Sequence, residues 1–240
     1  MTIYQLYPRR LSSRQLDTAL RRCVDVVLSL IGLIVFAPLM LLIVVAIRFD
    51  SPGPSLFRQV RVGQHGRQFR LYKFRKFVDG PGATGPAVTL KNDPRMTRVG
   101  RMLERSKLDE LPQLWNILIG DMSLVGPRPE TLDFAECFIG RFKMVLEFRP
   151  GLFGPSQAMF RNECTLYPAE RDPHEFYRSV LFPSKAAIDL EYFDQRTFLS
   201  DFLWVFRGVL AVIGLGTVPL AIIDDKAHVE LRAADSDAAD

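Results

Sequence analysis

The sequence predicts an α+β, helix-rich chain: an N-terminal re-entrant membrane helix, then a small domain on the cytoplasmic face with interfacial amphipathic helices. Three observations predict it. Residues 26 to 47 carry no charge, yet contain Pro38. Basic residues crowd both ends of that run. The residues after it mix helical spacings, short alternating stretches and Gly/Pro turn signals.

The elements follow in order. Residues 1 to 22 form a basic segment with Arg9, Arg10, Arg14, Arg21 and Arg22. Residues 23 to 50 hold the membrane helix. Its 22 uncharged residues reach about 33 Å as a straight helix, enough for a hydrocarbon core of about 30 Å. The run is too long for a cleavable signal peptide, and no small-residue cleavage site follows it. A simple span is one reading. Pro38 opposes it, because a proline inside a helix removes a backbone hydrogen bond and kinks the axis. The flanks oppose it too. Arg48, Arg58, Arg61, Arg67, Arg70, Lys73, Arg75 and Lys76 follow the run, and positive charge at both ends places both ends in the cytoplasm. A helix that enters, bends at Pro38 and returns satisfies both observations, and its basic ends suit anionic headgroups; on the residues alone the simple span stays open beside it.

Ser51-Pro52-Gly53-Pro54 is a turn that ends the membrane segment and opens a domain over residues 51 to 201. Within residues 55 to 77, Leu71, Phe74 and Phe77 fall at helical spacing, whereas Val60, Val62 and the glycines fit a short hairpin. An amphipathic surface segment is the plainer alternative. Residues 79 to 89 are rich in glycine and proline and read as a loop. Ser106 precedes Asp109 by three residues, like a capping box, and Pro112 fits a first helical turn. Asp109 and Glu110 are therefore expected at a helix N-terminus, where the dipole favours anions. A carboxylate beside a phosphate can attack phosphorus or hold a divalent cation; ordinary helix-end chemistry is the structural alternative. Leu114, Trp115, Ile117 and Leu118 form an apolar stripe, with Trp115 read as core or interfacial packing. Pro127-Arg128-Pro129 excludes a regular helix or central strand. It presents Arg128 on a rigid turn, suited to stacking on a base or forking onto a phosphate; a plain turn is the alternative. Residues 202 to 223 are apolar, and their charge-free part, Gly208 to Ile223, has 16 residues. That is marginal for a span and suits an interfacial helix. Residues 224 to 240 are acidic and alanine-rich, the composition of a disordered tail.

At 48% hydrophobic residues over 240 positions the chain can bury a sizeable core. A net charge of +4 and an isoelectric point near 9.1 suit an anionic partner such as a lipid surface or a phosphorylated substrate. No helix-turn-helix, zinc-finger or RNP-type signature supports nucleic acid. Cys23, Cys137 and Cys164 are odd in number and widely spaced, and read as reduced thiols. His65, His174 and His228 are scattered.

Leu108-Asp109-Glu110-Leu111-Pro112-Gln113, preceded by NDPRMTRVGRML and joined to Gly126-Pro127-Arg128-Pro129, resembles the bacterial sugar transferases called monotopic phosphoglycosyl transferases. The resemblance runs from about Arg21 to about Gln157, with echoes at Asp189, Tyr192 and Asp201. It implies a catalytic domain over 51 to 201 at the cytoplasmic face of the bacterial inner membrane. That domain would move a sugar-1-phosphate from a UDP-sugar to a polyprenyl phosphate, undecaprenyl phosphate, to begin glycoconjugate or exopolysaccharide assembly. Asp109 is implied as the nucleophile on the β-phosphorus, with release of UMP, and Glu110 as the ligand to Mg²⁺ or Mn²⁺. Lys73, Arg75, Asp93, Arg95, Arg101, Pro127, Arg128 and Pro129 are implied around the substrate; Lys73 and Arg75 suit lipid headgroups equally. Pro38 is the implied membrane bend. Anionic lipids are further partners, and a homodimer is compatible with all of this.

Two departures stand out. The family usually has Ser-Pro at the bend, where this chain has Ala37-Pro38. It usually has an arginine five residues before the nucleophile, where this chain has Glu104. A reversed charge does not bind phosphate, and Arg105 or Lys107 are the candidates to substitute. Residues 149 to 157 differ in the middle from the corresponding family loop. The stretch from Asn162 to Ala186 is longer than the family minimum, a place where sugar choice would be set. Polytopic phosphoglycosyl transferases need many spans, and CDP-alcohol phosphotransferases need a multi-aspartate motif that this chain lacks. The remaining alternative is an inactive membrane adaptor of the same fold. Glu104 favours it; Asp109, Glu110 and Arg128 oppose it.

Overall fold

The uncharged run extends into one continuous helix, α1 (Ser13–Asp50), with Pro38 inside it. The computed structural model describes residues 13–78, 88–90, 93–168 and 170–212. The start of the basic segment (1–12), most of the 79–89 loop and the 224–240 tail lie outside the described residues, as does the end of the apolar stretch 202–223. At 1.5 Å per residue the 38 residues of α1 extend about 57 Å.

Both halves of α1 pack against the domain that follows, through different chemistry. Near the N-terminal end Arg22 donates to the carbonyls of Ile117 (2.6 Å) and Leu118 (2.8 Å). Asp25 accepts from Ser123 Oγ (2.8 Å) and from the Leu124 amide (2.9 Å). Near the C-terminal end Ile43 and Ile47 are buried against Phe74 and Leu103, and Asp50 accepts from the Val99 amide at 2.9 Å. Between these docks, residues 34–38 are all exposed, including the apolar Ile34, Val35 and Phe36.

The hairpin reading of residues 55–77 is the one the fold adopts. Strands β1 (Leu56–Val62) and β2 (Gln68–Phe74) pair antiparallel, Leu56 opposite Phe74 and Val62 opposite Gln68. Their loop uses Gly66 at φ +74 and His65 at φ 56. Asn116, fully buried, holds β2 to the next helix: its amide donates to the Arg70 carbonyl at 2.7 Å and its oxygen accepts from the Tyr72 amide at 3.1 Å.

Helix α2 (Arg98–Ser106) starts at Thr97, whose hydroxyl accepts from the Gly100 amide at 2.9 Å. The capping residue is thus Thr97, and Ser106 ends a helix instead of starting one: its hydroxyl donates back to the Met102 carbonyl at 2.9 Å. Gly100 lets α2 lie directly on the chain at Lys76, because a Cβ there would sit 2.0 Å from the Lys76 carbonyl oxygen. Helix α3 (Gln113–Ile119) follows Pro112. It buries Leu114 and Ile117 and leaves Trp115 and Ile119 about half exposed, at 49% and 51%. Trp115 is therefore a surface residue of the apolar stripe, not a core residue.

Strands β3 (Ser123–Val125) and β4 (Gly151–Phe153) form a short parallel pair. The chain between them winds through short 3₁₀ segments. Helices α4 (Pro155–Met159), α5 (Pro173–Phe176), α6 (Phe182–Gln195) and α7 (Phe198–Val212) complete the described domain, with a π-helical turn, Tyr177–Leu181, leading into α6. One core gathers Phe134, Phe138, Tyr177, Leu181 and Phe182; a second gathers Leu71, Ile117, Met122, Leu124 and Phe193 against α1 and α7. The outer face of α7 leaves Phe198, Leu199, Phe202 and Phe206 exposed, as an interfacial helix requires.

Candidate active site

Asp109 and Glu110 do not begin a long helix. They sit in a single 3₁₀ turn, Leu108–Glu110, wedged between α2 and α3. Lys107 enters that turn in the left-handed conformation, φ 60, and so reverses the chain out of α2. Helix α3 begins four residues beyond Asp109, so its dipole is not what holds the carboxylates. Side-chain cations replace it.

Asp109 is 3% exposed, and its Oδ1 is buried without a hydrogen-bond partner. Glu110 is engaged: its Oε1 accepts from Lys73 Nζ at 2.8 Å and lies 3.8 Å from an Arg128 nitrogen. Burial pushes the Asp109 carboxyl above its ordinary range; Lys73 pulls it down and the Glu110 charge pushes it further up. The Glu110 carboxyl goes the other way. Burial opposes its ionisation, but Lys73 and Arg128 outweigh burial and hold it well below the usual carboxylate range. Burial lowers Lys73 to about 8, against the pull of Glu110. Two adjacent carboxyls are thus pushed apart in acidity, the arrangement by which active sites divide roles.

Arg128 comes from the loop after β3. Pro127 and Pro129 are buried and hold that loop, while Arg128 is partly exposed. Gly126 permits the close approach of β4, since a Cβ there would lie 2.1 Å from the Arg149 carbonyl oxygen. Arg61 braces the loop by donating to the Pro129 carbonyl at 3.1 Å. Burial and the neighbouring Arg128 charge bring Arg61 down to about 10.

Of the residues expected around the substrate, the structure gathers Lys73, Pro127, Arg128 and Pro129 about Glu110. The others are engaged elsewhere. Arg75 is buried and donates to the Ser51 carbonyl at 2.8 Å and to the Pro52 carbonyl, so it clamps the turn that follows α1. Asp93 and Arg95 bind each other, Nη2 to Oδ2 at 2.6 Å and Nε to Oδ1 at 2.9 Å. Arg101 is exposed on α2 in an open groove with Arg98, Met102 and Arg105, and donates to the Met96 carbonyl at 2.9 Å.

A second buried network stands beside Arg128, and the sequence offered no signal for it. Lys185 pairs with Glu163 at 2.5 Å and donates to Tyr177 at 3.1 Å; Tyr177 donates to Glu130 and Tyr167 to Glu163, each at 2.7 Å. Burial raises both tyrosines far above their ordinary range, helped by Glu130 at Tyr177 and by Glu163 at Tyr167.

Among the described residues no cluster of three or more His, Cys, Asp or Glu side chains is arranged for a metal. Mg²⁺ usually takes one or two protein carboxylates and completes its shell with substrate phosphate and water. Glu110, a single carboxylate beside the nucleophile candidate and completed by substrate phosphate and water, fits that donor set.

The chain is similar to known proteins over most of its length. The family model described as bacterial sugar transferase matches residues 16–214. The exopolysaccharide production protein PSS of Rhizobium leguminosarum bv. phaseoli is 35% identical over 208 residues, covering 84% of this chain and 98% of that protein. The UDP-glucose:undecaprenyl-phosphate glucose-1-phosphate transferase of Caulobacter vibrioides is 45% identical over 143 residues, covering 57% of this chain and 52% of the relative. A UDP-N-acetylgalactosamine-undecaprenyl-phosphate N-acetylgalactosaminephosphotransferase from Aeromonas hydrophila is 35% identical over 192 residues, covering 76% of this chain and 44% of the relative. The chain thus spans nearly all of the first and about half of the other two. With a match over most of its length and the carboxylate turn facing Lys73 and Arg128, the chain belongs to the bacterial sugar transferase family, a family of phosphoglycosyl transferase enzymes.

Proposed function

We propose that this enzyme transfers a sugar-1-phosphate from a UDP-sugar to undecaprenyl phosphate, by double displacement through Asp109. The observation that carries the reading is the buried, unpartnered Asp109 oxygen beside a carboxylate held ionised by Lys73 and Arg128. A buried polar atom without a partner is rare and calls for an explanation; a nucleophile awaiting phosphorus supplies one. An Asp109 oxygen attacks the β-phosphorus, the bond from that phosphorus to the bridging oxygen breaks, and UMP leaves with the electron pair. The lipid phosphate oxygen then attacks the same phosphorus. The acyl phosphate bond breaks, Asp109 regains its carboxylate, and the sugar leaves on a polyprenyl diphosphate. Lys73 and Arg128 position the diphosphate and balance its charge. Glu110, with the donor phosphates, would hold Mg²⁺, which supplies neutralisation of diphosphate charge when bound. The relatives' names differ in the sugar and share the lipid, so the lipid half of the reading carries over most directly.

The same reading places the enzyme on the cytoplasmic face of the inner membrane, with α1 re-entrant. Asp25 and Asp50, about 37 Å apart along a straight helix, both accept backbone amides of one domain. A transmembrane span would put that domain on both sides of the bilayer. An exposed apolar middle between two docked ends is what a dipping helix needs. Cysteines placed near Gln5 and near Gln64 are expected to label from the cytoplasmic side only; labelling from opposite sides would show a span.

The mechanism is tested by incubating the full-length protein in nanodiscs with radiolabelled UDP-sugars, without lipid acceptor. Label is expected to accumulate on the protein as UMP is released, and hydroxylamine is expected to remove it. A panel of UDP-sugars that yields neither adduct nor UMP would favour the membrane adaptor.

A further inference from the structure

Glu104 stands where the family usually has an arginine, and the structure shows what faces it. Lys76 Nζ lies 4.0 Å from Glu104 Oε1, with both side chains about four-fifths buried. The backbone of Lys76 is fixed: its carbonyl accepts from the Thr97 amide at 3.0 Å, and α2 rests on it at Gly100. The neighbouring Phe77 pairs with Met96. The ammonium lies over the Phe77 ring, 5.2 Å from its centroid, and faces Glu104, which stands one helical turn before the Leu108–Glu110 turn. Its charge acts on Asp109, more strongly than that of Lys107. It also acts on Cys164, together with Glu104 and Lys107, so the three charges lie near one another.

The two substitutes the sequence suggested are placed differently. Arg105 is exposed on the outer face of α2, in the open groove with Arg98 and Arg101. Lys107 occupies the left-handed residue that turns the chain into the 3₁₀ segment.

We propose that Lys76 is the donor-phosphate cation of this chain, filling from β2's end the place that a family arginine would fill from α2, with Glu104 as its resting counter-ion. The inference rests on the UDP-sugar reading above. A 4.0 Å contact is a loose ion pair, so the ammonium can leave it for a diphosphate oxygen without breaking a short hydrogen bond. Glu104 then holds Lys76 extended when no donor is bound.

The test is UDP binding to the full-length protein in nanodiscs by titration calorimetry, with thermal unfolding of each variant recorded in parallel. UDP carries the diphosphate without the sugar, so sugar choice does not enter. Lys76→Met is expected to weaken UDP by about 10-fold or more, as loss of one charge-assisted phosphate contact does. Lys76→Arg and Lys107→Met are expected to stay within about 3-fold of wild type. The double variant Lys76→Met/Glu104→Arg restores the cation from α2 without restoring the ion pair, and is expected to recover most of the affinity. Lys76→Met binding UDP as tightly as wild type overturns the proposal. So does a greater loss in Lys107→Met than in Lys76→Met, or a double variant no better than Lys76→Met. Wild-type protein that binds no UDP at all overturns the donor reading itself, and is distinguishable from these outcomes.

Discussion

Two buried charge networks lie side by side in this domain, and they differ in what they leave undone. Around Glu163 and Lys185 every member of the Glu130–Tyr177–Lys185–Glu163–Tyr167 chain has a hydrogen-bond partner within it. Around Glu110 the cations are similarly arranged, yet Asp109 Oδ1 and Arg61 Nε are buried without partners. Buried charge is costly in either case, and complete pairing is what offsets the cost. The satisfied network fixes the long segment from Asn162 to Ala186 onto the Arg128 loop. On the proposed mechanism, the unsatisfied one holds its carboxylate ready for a group that arrives from outside. The orphan Asp109 oxygen, more than the density of charge, is what distinguishes the second network from the first.

The comparison breaks most directly at Asp109. Asp109→Asn keeps the shape and removes the charge, and is expected to lower turnover by more than about 1,000-fold and abolish the hydroxylamine-labile adduct. Because Asp109 is poorly satisfied, its stability is expected to be unchanged or higher, read as a melting temperature no lower than wild type. Normal turnover by Asp109→Asn would end the covalent mechanism.

The opposite signature is expected next door. Lys185→Met leaves the largely buried Glu163 carboxylate without its cation, with an expected cost of about 3–5 kcal/mol in denaturant unfolding. Below its melting temperature the surviving folded enzyme is expected to keep a donor KM within about 3-fold of wild type. A stable Lys185→Met protein with a collapsed kcat would move Lys185 into the catalytic group.

Asp189 offers a subtler test on the scaffold side. It accepts from the Ser156 amide at 3.2 Å and binds the Ser156 hydroxyl at 2.8 Å. Burial raises it to about 7, against those hydrogen bonds. Below about pH 4 the carboxyl is neutral in both folded and unfolded chains. As pH rises from there to about 7 the unfolded chain ionises first, so stability is lost across that window, by up to about 3 kcal/mol. Asp189→Asn does not ionise and keeps the acceptor for the Ser156 amide. Its unfolding free energy is expected to lack this slope, measured between pH 4.5 and 7.5. An Asn variant with the wild-type slope would assign the proton to another group.

Much of the site was legible in sequence because its chemistry is local. Asp109, Glu110 and the Pro127–Pro129 turn are contiguous motifs, and prolines announce their own geometry. The hairpin was legible from glycines and valines, although its apolar residues also fitted helical spacing. Pro38 was legible as a bend inside the membrane helix, and α1 runs through it as one helix from Ser13 to Asp50. The capping box at Ser106 was misleading: Thr97, nine residues earlier, caps the helix, and Lys107 turns the chain before Asp109. The Glu163–Lys185 pair, 22 residues apart, and the Lys76–Glu104 pair were not legible at all. Such contacts depend on how the long 162–186 segment and α2 fold back, which no short-range pattern encodes. Arg75, Asp93 and Arg95 were expected around the substrate, and a charge alone does not reveal its partner: Arg75 donates to Ser51, and Asp93 and Arg95 bind each other.

The smallest expected effect is also the one that reads the catalytic network directly. Lys73 is held near pKa 8 by burial, with Glu110 opposing the shift and Arg128 adding to it. Its ammonium is therefore present below about pH 8 and is lost as pH rises through that value, and with it one of the two cations on Glu110. kcat/KM for the free enzyme is expected to fall about 10-fold for each pH unit above that midpoint. In kcat the same limb should lie at higher pH, because a bound diphosphate adds negative charge beside the lysine and favours its protonated form. Lys73→Arg keeps a cation that does not titrate in this range, so its kcat/KM profile is expected to be flat to beyond pH 9, at a lower plateau because the guanidinium does not match the lysine's 2.8 Å contact with Glu110. On the acid side, the raised carboxyl of Asp109 is expected to set a limb above the ordinary carboxylate range, since protonation removes the nucleophile as pH falls through it. That limb should persist in Lys73→Arg. An alkaline limb that survives Lys73→Arg unchanged would assign it to another base and leave Lys73 as a counter-ion only.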